Sequence, residues 1–354
     1  MAYTTIENPE LYFQTKLFTG NATDDTAITL DGDEDMQPSL IWIKNRSTTD
    51  SHHLVSVPGT EVAKRLRTDT SGALGDQSDG VKSIQSDGFT IGTTGSLNGS
   101  GNSIVAWCWN AVTSFSNDAS ATSIGTIDSS GSVNTDAGIS IVSYTGNSTS
   151  GASIKHGLSS APKFVFGKAI NTAGEDWFTG HASNGFDKYI KLNSTHAVQT
   201  YSGVFNDTAP NTSVVTLGSN GISNSSSYNY IMYCFADVKG FSKVGGSYTG
   251  NGNADGTFVY TGFRPAFIIF KRTDSTGAWV LKDNKRNTYN VATGYLYANA
   301  SDAESTSYNV DFTANGVKLR GTDLQFNASG GTFIYMAFAE APFVNSNGVP
   351  CNAR

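Results

Sequence analysis

Ala106-Trp107-Cys108-Trp109-Asn110, Met232-Tyr233-Cys234-Phe235-Ala236 and Tyr335-Met336-Ala337-Phe338-Ala339 read as one strand written three times. In each pentad large and small residues alternate with period two, the signature of a β-strand with one face packed into a core. Each pentad closes a unit that opens on an aromatic-Thr-Gly-Asn tetrad: Phe18 to Asn21, Tyr144 to Asn147 and Tyr248 to Asn251. Between these ends Pro38, Pro162 and Pro265 each precede an apolar strand and are followed six residues later by Lys44, Lys168 and Lys271. A weaker block recurs as Leu66 to Ala73, Ile190 to Ala197 and Leu296 to Ala303. Then comes a turn dipeptide before a β-branched or aromatic residue: Asp87-Gly88-Phe89, Asn220-Gly221-Ile222 and Asn315-Gly316-Val317. Landmarks kept in this order three times make one small fold the unit of the molecule.

The units predict an arm over 1–15, repeats over 16–111, 139–238 and 240–343, a Ser/Ala/Thr/Asp-rich linker over 112–138 with one short strand around Ile124 to Ile127, and a tail over 344–354. A repeat of this length forms its own core. The absence of a linker between repeats two and three predicts that they couple more rigidly than one and two. The post-proline strands are apolar on both faces, hence central, and a proline suits a strand start. Asp-Gly and Asn-Gly between strands are hairpin turns. The only helical stretch expected is Thr60 to Arg67. The fold class is therefore all-β, as three tandem antiparallel β-sandwiches of jelly-roll or lectin-like type. Trp107 and Trp109, Tyr233 and Phe235, and Met336 and Phe338 are expected to face the interior of their own units, with the small residues between them facing the opposite side.

Charged residues make up 15% of the chain and the net charge is −7. A nucleic-acid surface relies on clustered Lys and Arg, so this balance argues against one and gives no reason for binding to anionic lipid. No secretory signal and no stretch of transmembrane length is visible. Cys108 and Cys234 occupy equivalent strand positions, read as small buried apolar side chains, and Cys351 is a bystander.

No constellation points to catalysis, a cofactor or a metal. His52 and His53 are adjacent and face opposite ways on a strand, so they cannot chelate one metal together. Asp31-Gly32-Asp33-Glu34-Asp35 alternates acids, but Met36 and Trp42 stand where a calcium loop needs Gly and Glu. It reads as a solvated hairpin tip, with Ca²⁺ left open. Lys44, Lys168 and Lys271 are the charged positions that recur in register, and are read as structural. For glycan binding, which needs an aromatic beside Asn, Asp or Gln on a loop, the candidates are Trp177, next to Glu175 and Asp176, and Trp279, although a buried core tryptophan is the favoured reading of both.

The tetrad, Pro38 to Arg46, Ser51-His52-His53-Leu54, Ser86 to Gly92 and Val105 to Trp109 resemble repeats in virion proteins of marine tailed bacteriophages, cyanophages among them. The opening Tyr3-Thr4-Thr5-Ile6 and Tyr12-Phe13-Gln14 are similar to the starts of such proteins. Repeat one matches best, and 112–138 lies outside the likeness. The resemblance implies a place in the virion; the empty search for catalysis adds the expectation of a structural protein that is not an enzyme, and the missing secretory signal that of assembly in the host cytoplasm beside other virion proteins. A tail or baseplate short fibre or adsorption component comes first, a stiff rod about three domains long and favoured as a trimer. The alternatives are a capsid decoration or cement protein whose arm, Met1 to Gln14, clips onto the shell, and a lectin-like module for a host-surface glycan.

Overall fold

The computed structural model describes residues 3–57 and 59–352; the outermost residues of the arm and tail, with position 58, lie outside the described residues. The chain is all-β, in antiparallel sheets with a few single-turn helices. Each repeat builds an inner sheet of the same order. In repeat one the opening strand Phe13–Thr19 pairs with the closing strand Ser103–Trp109. That strand pairs with the post-proline strand Leu40–Asn45, which pairs with a return strand His53–Ser56. Ile139–Thr145, Asn229–Phe235, Phe164–Ala169 and Phe178–His181 repeat this order. So do Ser242–Thr249, Thr332–Pro342, Phe263–Arg272 and Trp279–Asp283. A smaller sheet accompanies each: Thr26–Ile28, Gly88–Ile91 and Val81–Gln85; Ser153–Lys155 and Val214–Thr216; Phe258–Tyr260, Gly316–Leu319 and Val310–Thr313.

The closing strands are buried on both faces. Cys108, with Ile104 and Ala106, faces its own repeat's second sheet at Ile28, Phe89 and Ile91. Cys234, with Met232, does the same against Ile154, Val215 and Leu217. The aromatic faces turn the other way, and this corrects the expectation that they fill separate interiors. Trp107, Trp109, Tyr233, Phe235, Met336 and Phe338 are all buried in one core that the three repeats share. Trp109, Phe235 and Phe338, which are equivalent, meet as a triangle. Their ring centroids lie 6.5 Å (Trp109–Phe235), 5.6 Å (Trp109–Phe338) and 5.8 Å (Phe235–Phe338) apart. Period two tells which residues share a face, but not which face meets a neighbouring repeat.

The repeats therefore do not line up as a rod; they close a ring around an approximate three-fold axis. Three equivalent backbone hydrogen bonds cross the three seams: Leu74 N–H to Ile170 O at 2.9 Å, Val198 N–H to Thr273 O at 3.0 Å, and Glu304 N–H to Arg46 O at 2.9 Å. Equivalent ring nitrogens cross in the opposite sense. Trp177 Nε1 donates to Arg67 O at 2.9 Å, Trp279 Nε1 donates to Lys191 O at 3.0 Å, and His52 Nε2 meets Tyr297 O at 2.8 Å. Hydrogen bonding of one kind thus runs across all three seams, the linker notwithstanding. The seam between repeats three and one, which no inter-repeat segment spans, adds a two-pronged Arg46–Glu304 ion pair where the other seams place Ile170 by Leu74 and Thr273 by Val198.

Four local expectations are corrected. Residues 112–138 are not a linker with one short strand at 124–127: Thr113–Asn117 and Ser129–Asn134 extend the inner sheet of repeat two, and Ile127 forms an isolated bridge with Ile154. Thr60 to Arg67 is not helical; Glu61 and Ala63 hold left-handed φ of 69° and 63°, and Lys64–Arg65 is a short strand. Asn220-Gly221-Ile222 opens a helical turn, Gly221–Asn224, equivalent to Gly95–Asn98, instead of a hairpin. The arm is not free: the opening strand begins at Phe13, Ile6 enters the shared core, and Tyr3 Oη donates to Gly262 O at 2.5 Å.

Candidate functional site

The landmarks recognised in sequence serve the frame. In the tetrads, a Cβ on Gly20, Gly146 or Gly250 would lie 2.3 Å from a carbonyl oxygen, of Gly99, Ser225 and Ala328 respectively. Only glycine admits that approach. The tetrad asparagines cap their own turns: Asn21, Asn147 and Asn251 Oδ1 accept from the backbone N–H two residues on, at 2.8, 2.9 and 2.9 Å. A triplicated residue that sequence reading missed holds each tetrad in place. Asn98, Asn224 and Asn327 are buried, and their Oδ1 atoms accept from Asn21, Asn147 and Asn251 N–H at 2.8, 2.9 and 3.0 Å. Their Nδ2 groups donate to a pair of carbonyls each: Thr23 and Gly92, Thr149 and Gly218, Asn253 and Gly321. The signal was present, since each stands eleven residues before Trp109, Phe235 or Phe338.

Lys44, Lys168 and Lys271 are buried strand lysines. Lys168 Nζ donates to Ser71 O and Glu175 O, and Lys271 Nζ donates to Thr195 O and Gly277 O, so each pins a neighbouring repeat. Lys44 donates to Asn45 O and Thr48 O within its own repeat. Burial lowers their pKa values to about 8, 8 and 7, with nearby carboxylates opposing the shift at Lys44 and Lys168. Burial likewise lowers His52 to about 4, against the pull of Asp69, and holds His53 well below the usual imidazole range. Among the described residues no group of three or more His, Cys, Asp and Glu side chains is gathered to hold a metal ion.

Trp177 and Trp279 are 0% and 1% exposed, with their indole N–H groups engaged at the seams. They are core side chains, as the favoured reading had them, and the glycan reading of these two residues is corrected: they present no ring face to a ligand. Their neighbourhood nevertheless holds a groove of about 560 Å³ on repeat two, lined by Glu175, Asp176, Tyr189, Lys191, Tyr201 and Asn220. Tyr201 is 44% exposed and meets Tyr189 with centroids 6.1 Å apart at 52°. Gly203 lets that ring lie against the backbone, since a Cβ there would be 2.5 Å from it, and Asn220 Nδ2 donates to Tyr201 Oη at 3.0 Å. Asp176 pairs with Lys191 at 2.7 Å and accepts from Asn193 Nδ2 at 2.8 Å. Partial burial raises its pKa, but these contacts more than offset that and hold it ionised below the usual carboxylate range.

The same station exists on repeat one with other chemistry. There Asp50, Ser51, Arg65, Arg67 and Thr94 line a groove of about 460 Å³, with Arg65 and Arg67 in the places of Tyr189 and Lys191. On repeat three the counterpart is filled: Gln325 Oε1 accepts from Ala278 N–H at 2.6 Å, and Tyr295 stacks on Tyr308 with centroids 4.0 Å apart. The frame is constant and the lining diverges. Of the lining residues Lys191 belongs to the weak recurring block and Asn220 and Ile222 to the turn landmark, while Tyr201, Tyr189, Glu175 and Asp176 belong to none, which is why the sequence did not mark the site.

Over residues 8–342 the chain matches the family described as a domain of unknown function, DUF7483, and it belongs to that family. No curated protein and no solved structure matches it.

Proposed function

We propose that this member of the family is a structural protein of a bacteriophage virion, an adsorption component carried at the tail or baseplate, built from three tandem lectin-like β-sandwiches. The resemblance of its repeats to those of marine phage virion proteins supports the place. The adsorption role rests on one structural observation, a ring of three repeats locked by a common aromatic core that holds the same groove position in three versions. Such a frame tolerates change in the groove lining because the stabilising contacts lie elsewhere. The ring also replaces the rod of the fibre expectation with a compact head, and gives one chain the three-fold layout expected of a trimer.

The capsid-cement alternative uses the arm as a clip. Residues 3–12 are instead engaged within the chain, with Glu7 accepting from Ser346 N–H at 3.0 Å and Tyr3 packed on Phe343. That favours the tail. Negative-stain imaging of virions labelled with an antibody to this chain tests the reading. Label at the tail end, with about a few dozen copies or fewer per particle, is the expected result. Even labelling of the head, or absence from purified virions, overturns it.

A further inference from the structure

We propose that the repeat-two groove is a saccharide-binding site in which Tyr201 is the stacking platform for a pyranose ring. The inference rests on the adsorption reading only for the source of the sugar; binding itself is a property of the purified chain. A sugar presents an apolar C–H face and a rim of hydroxyls, and it needs an aromatic surface beside ionised or amide groups. Tyr201 supplies the surface. It is an exposed tyrosine at the start of a helical turn, Ser202–Phe205, laid flat by Gly203 and fixed at its hydroxyl by Asn220. An aromatic restrained in this way loses little entropy on binding. Tyr189 forms the second wall at 52° to it, so the groove has a corner.

The polar rim is built from charges already compensated or kept outside. Asp176 and Lys191 neutralise each other at 2.7 Å, and each has further hydrogen-bonding capacity for hydroxyls. Glu175 carries no ion pair among the described residues and stands at the groove edge as an acceptor. Gln199, paired across strands with Tyr189, adds an exposed amide. This set favours a neutral or amino sugar over an acidic one, because Glu175 would repel a carboxylate or sulfate. The repeat-one counterpart, with Arg65 and Arg67, lacks an aromatic platform and is not part of the site.

The test uses the purified full chain on an array of neutral, amino and acidic saccharides, followed by titration of the best neutral hit. Wild type should bind, and Tyr201→Ala should weaken binding about ten-fold or more, the loss of one well-placed contact of about 1.4 kcal/mol. Tyr201→Phe, which keeps the ring, should lose less than Tyr201→Ala. Gly203→Ala, which leaves each polar group in place but meets the ring, should also weaken binding. Tyr289→Ala, which removes a tyrosine 79% exposed outside the groove, should bind as wild type. Melting curves matching wild type establish that each variant is folded. Absence of binding by wild type, preference for acidic sugars alone, or a folded Tyr201→Ala that binds normally overturns the inference. Those outcomes leave the virion assignment standing, since imaging decides that separately.

Discussion

Replacing Trp109 by Ala separates a closed ring from three beads on a string. The side chain is buried, and its ring meets Phe13, Phe235, Phe267 and Phe338 at centroid distances of 5.0, 6.5, 5.9 and 5.6 Å, so all three repeats touch it. Truncating such a side chain costs about 3–5 kcal/mol. The thermal shift depends on how much of the chain unfolds with it. Unfolding entropy is about 2.1 cal/mol/K per residue, so a single transition of all 354 residues moves by only about 4–7 °C. If repeat one melted alone, as roughly 100 residues, the same loss would move its transition by about 15–25 °C and leave the others in place. Scanning calorimetry reads both quantities. The expected record is one peak, with calorimetric and van't Hoff enthalpies in agreement, shifted by the smaller amount. Resolved transitions, of which only one moves, would refute the shared core. Trp109→Phe is the companion: its indole N–H has no hydrogen-bond partner among the described residues, and Phe already occupies the equivalent positions. It should cost well under the alanine change.

Asn224→Ala leaves the Asn147 N–H and the Thr149 and Gly218 carbonyls without their partner, and should destabilise by about 1–3 kcal/mol in urea melts. Asn98→Ala should give a loss of the same size if the clamp is truly repeated. Acid should loosen the protein before most carboxylates protonate. His52, His156 and His181 are buried with pKa values lowered to about 4, and the first cause at each is burial. The unfolded chain takes up these protons near 6.5 and the native one only near 4. The stability these three rings contribute is therefore full above about pH 6.5 and declines as pH falls toward about 4, a trend that urea midpoints at about pH 7 and about pH 4.5 will show. Equal midpoints would contradict the burial of these imidazoles as neutral rings.

The strands were legible because packing writes a simple code. Alternation in Trp107-Cys108-Trp109, and its counterparts with Tyr, Phe and Met, reported a face and a volume, and both hold in the structure. The destination of that face was not legible, since a residue packed on a second sheet and one packed on a neighbouring repeat obey the same period. The glycine of the tetrad could be seen, but its reason required knowing which carbonyl lies 2.3 Å from the missing Cβ. Residues 112–138 looked like a linker because Ser, Ala, Thr and Asp dominate. Yet short strands on the edge of an established sheet need little apolar content, and Ser129–Asn134 gains its partners from Ile139–Thr145. The groove was hardest. Its walls come from three separated segments, and Trp177 drew attention to the right place for a side chain that points the other way.

Cyclic closure has an evolutionary corollary. Three copies of a single-repeat protein, held together by symmetry, would share each mutation: a tyrosine gained in one binding station would be gained in all, and a misfit would be felt three times. Writing the copies in succession on one polypeptide breaks that bond between them. Repeat one carries arginines, repeat two tyrosines, and repeat three a glutamine plug, while the clamps and the central aromatics are in register. Such a molecule explores three surfaces at the stability of one.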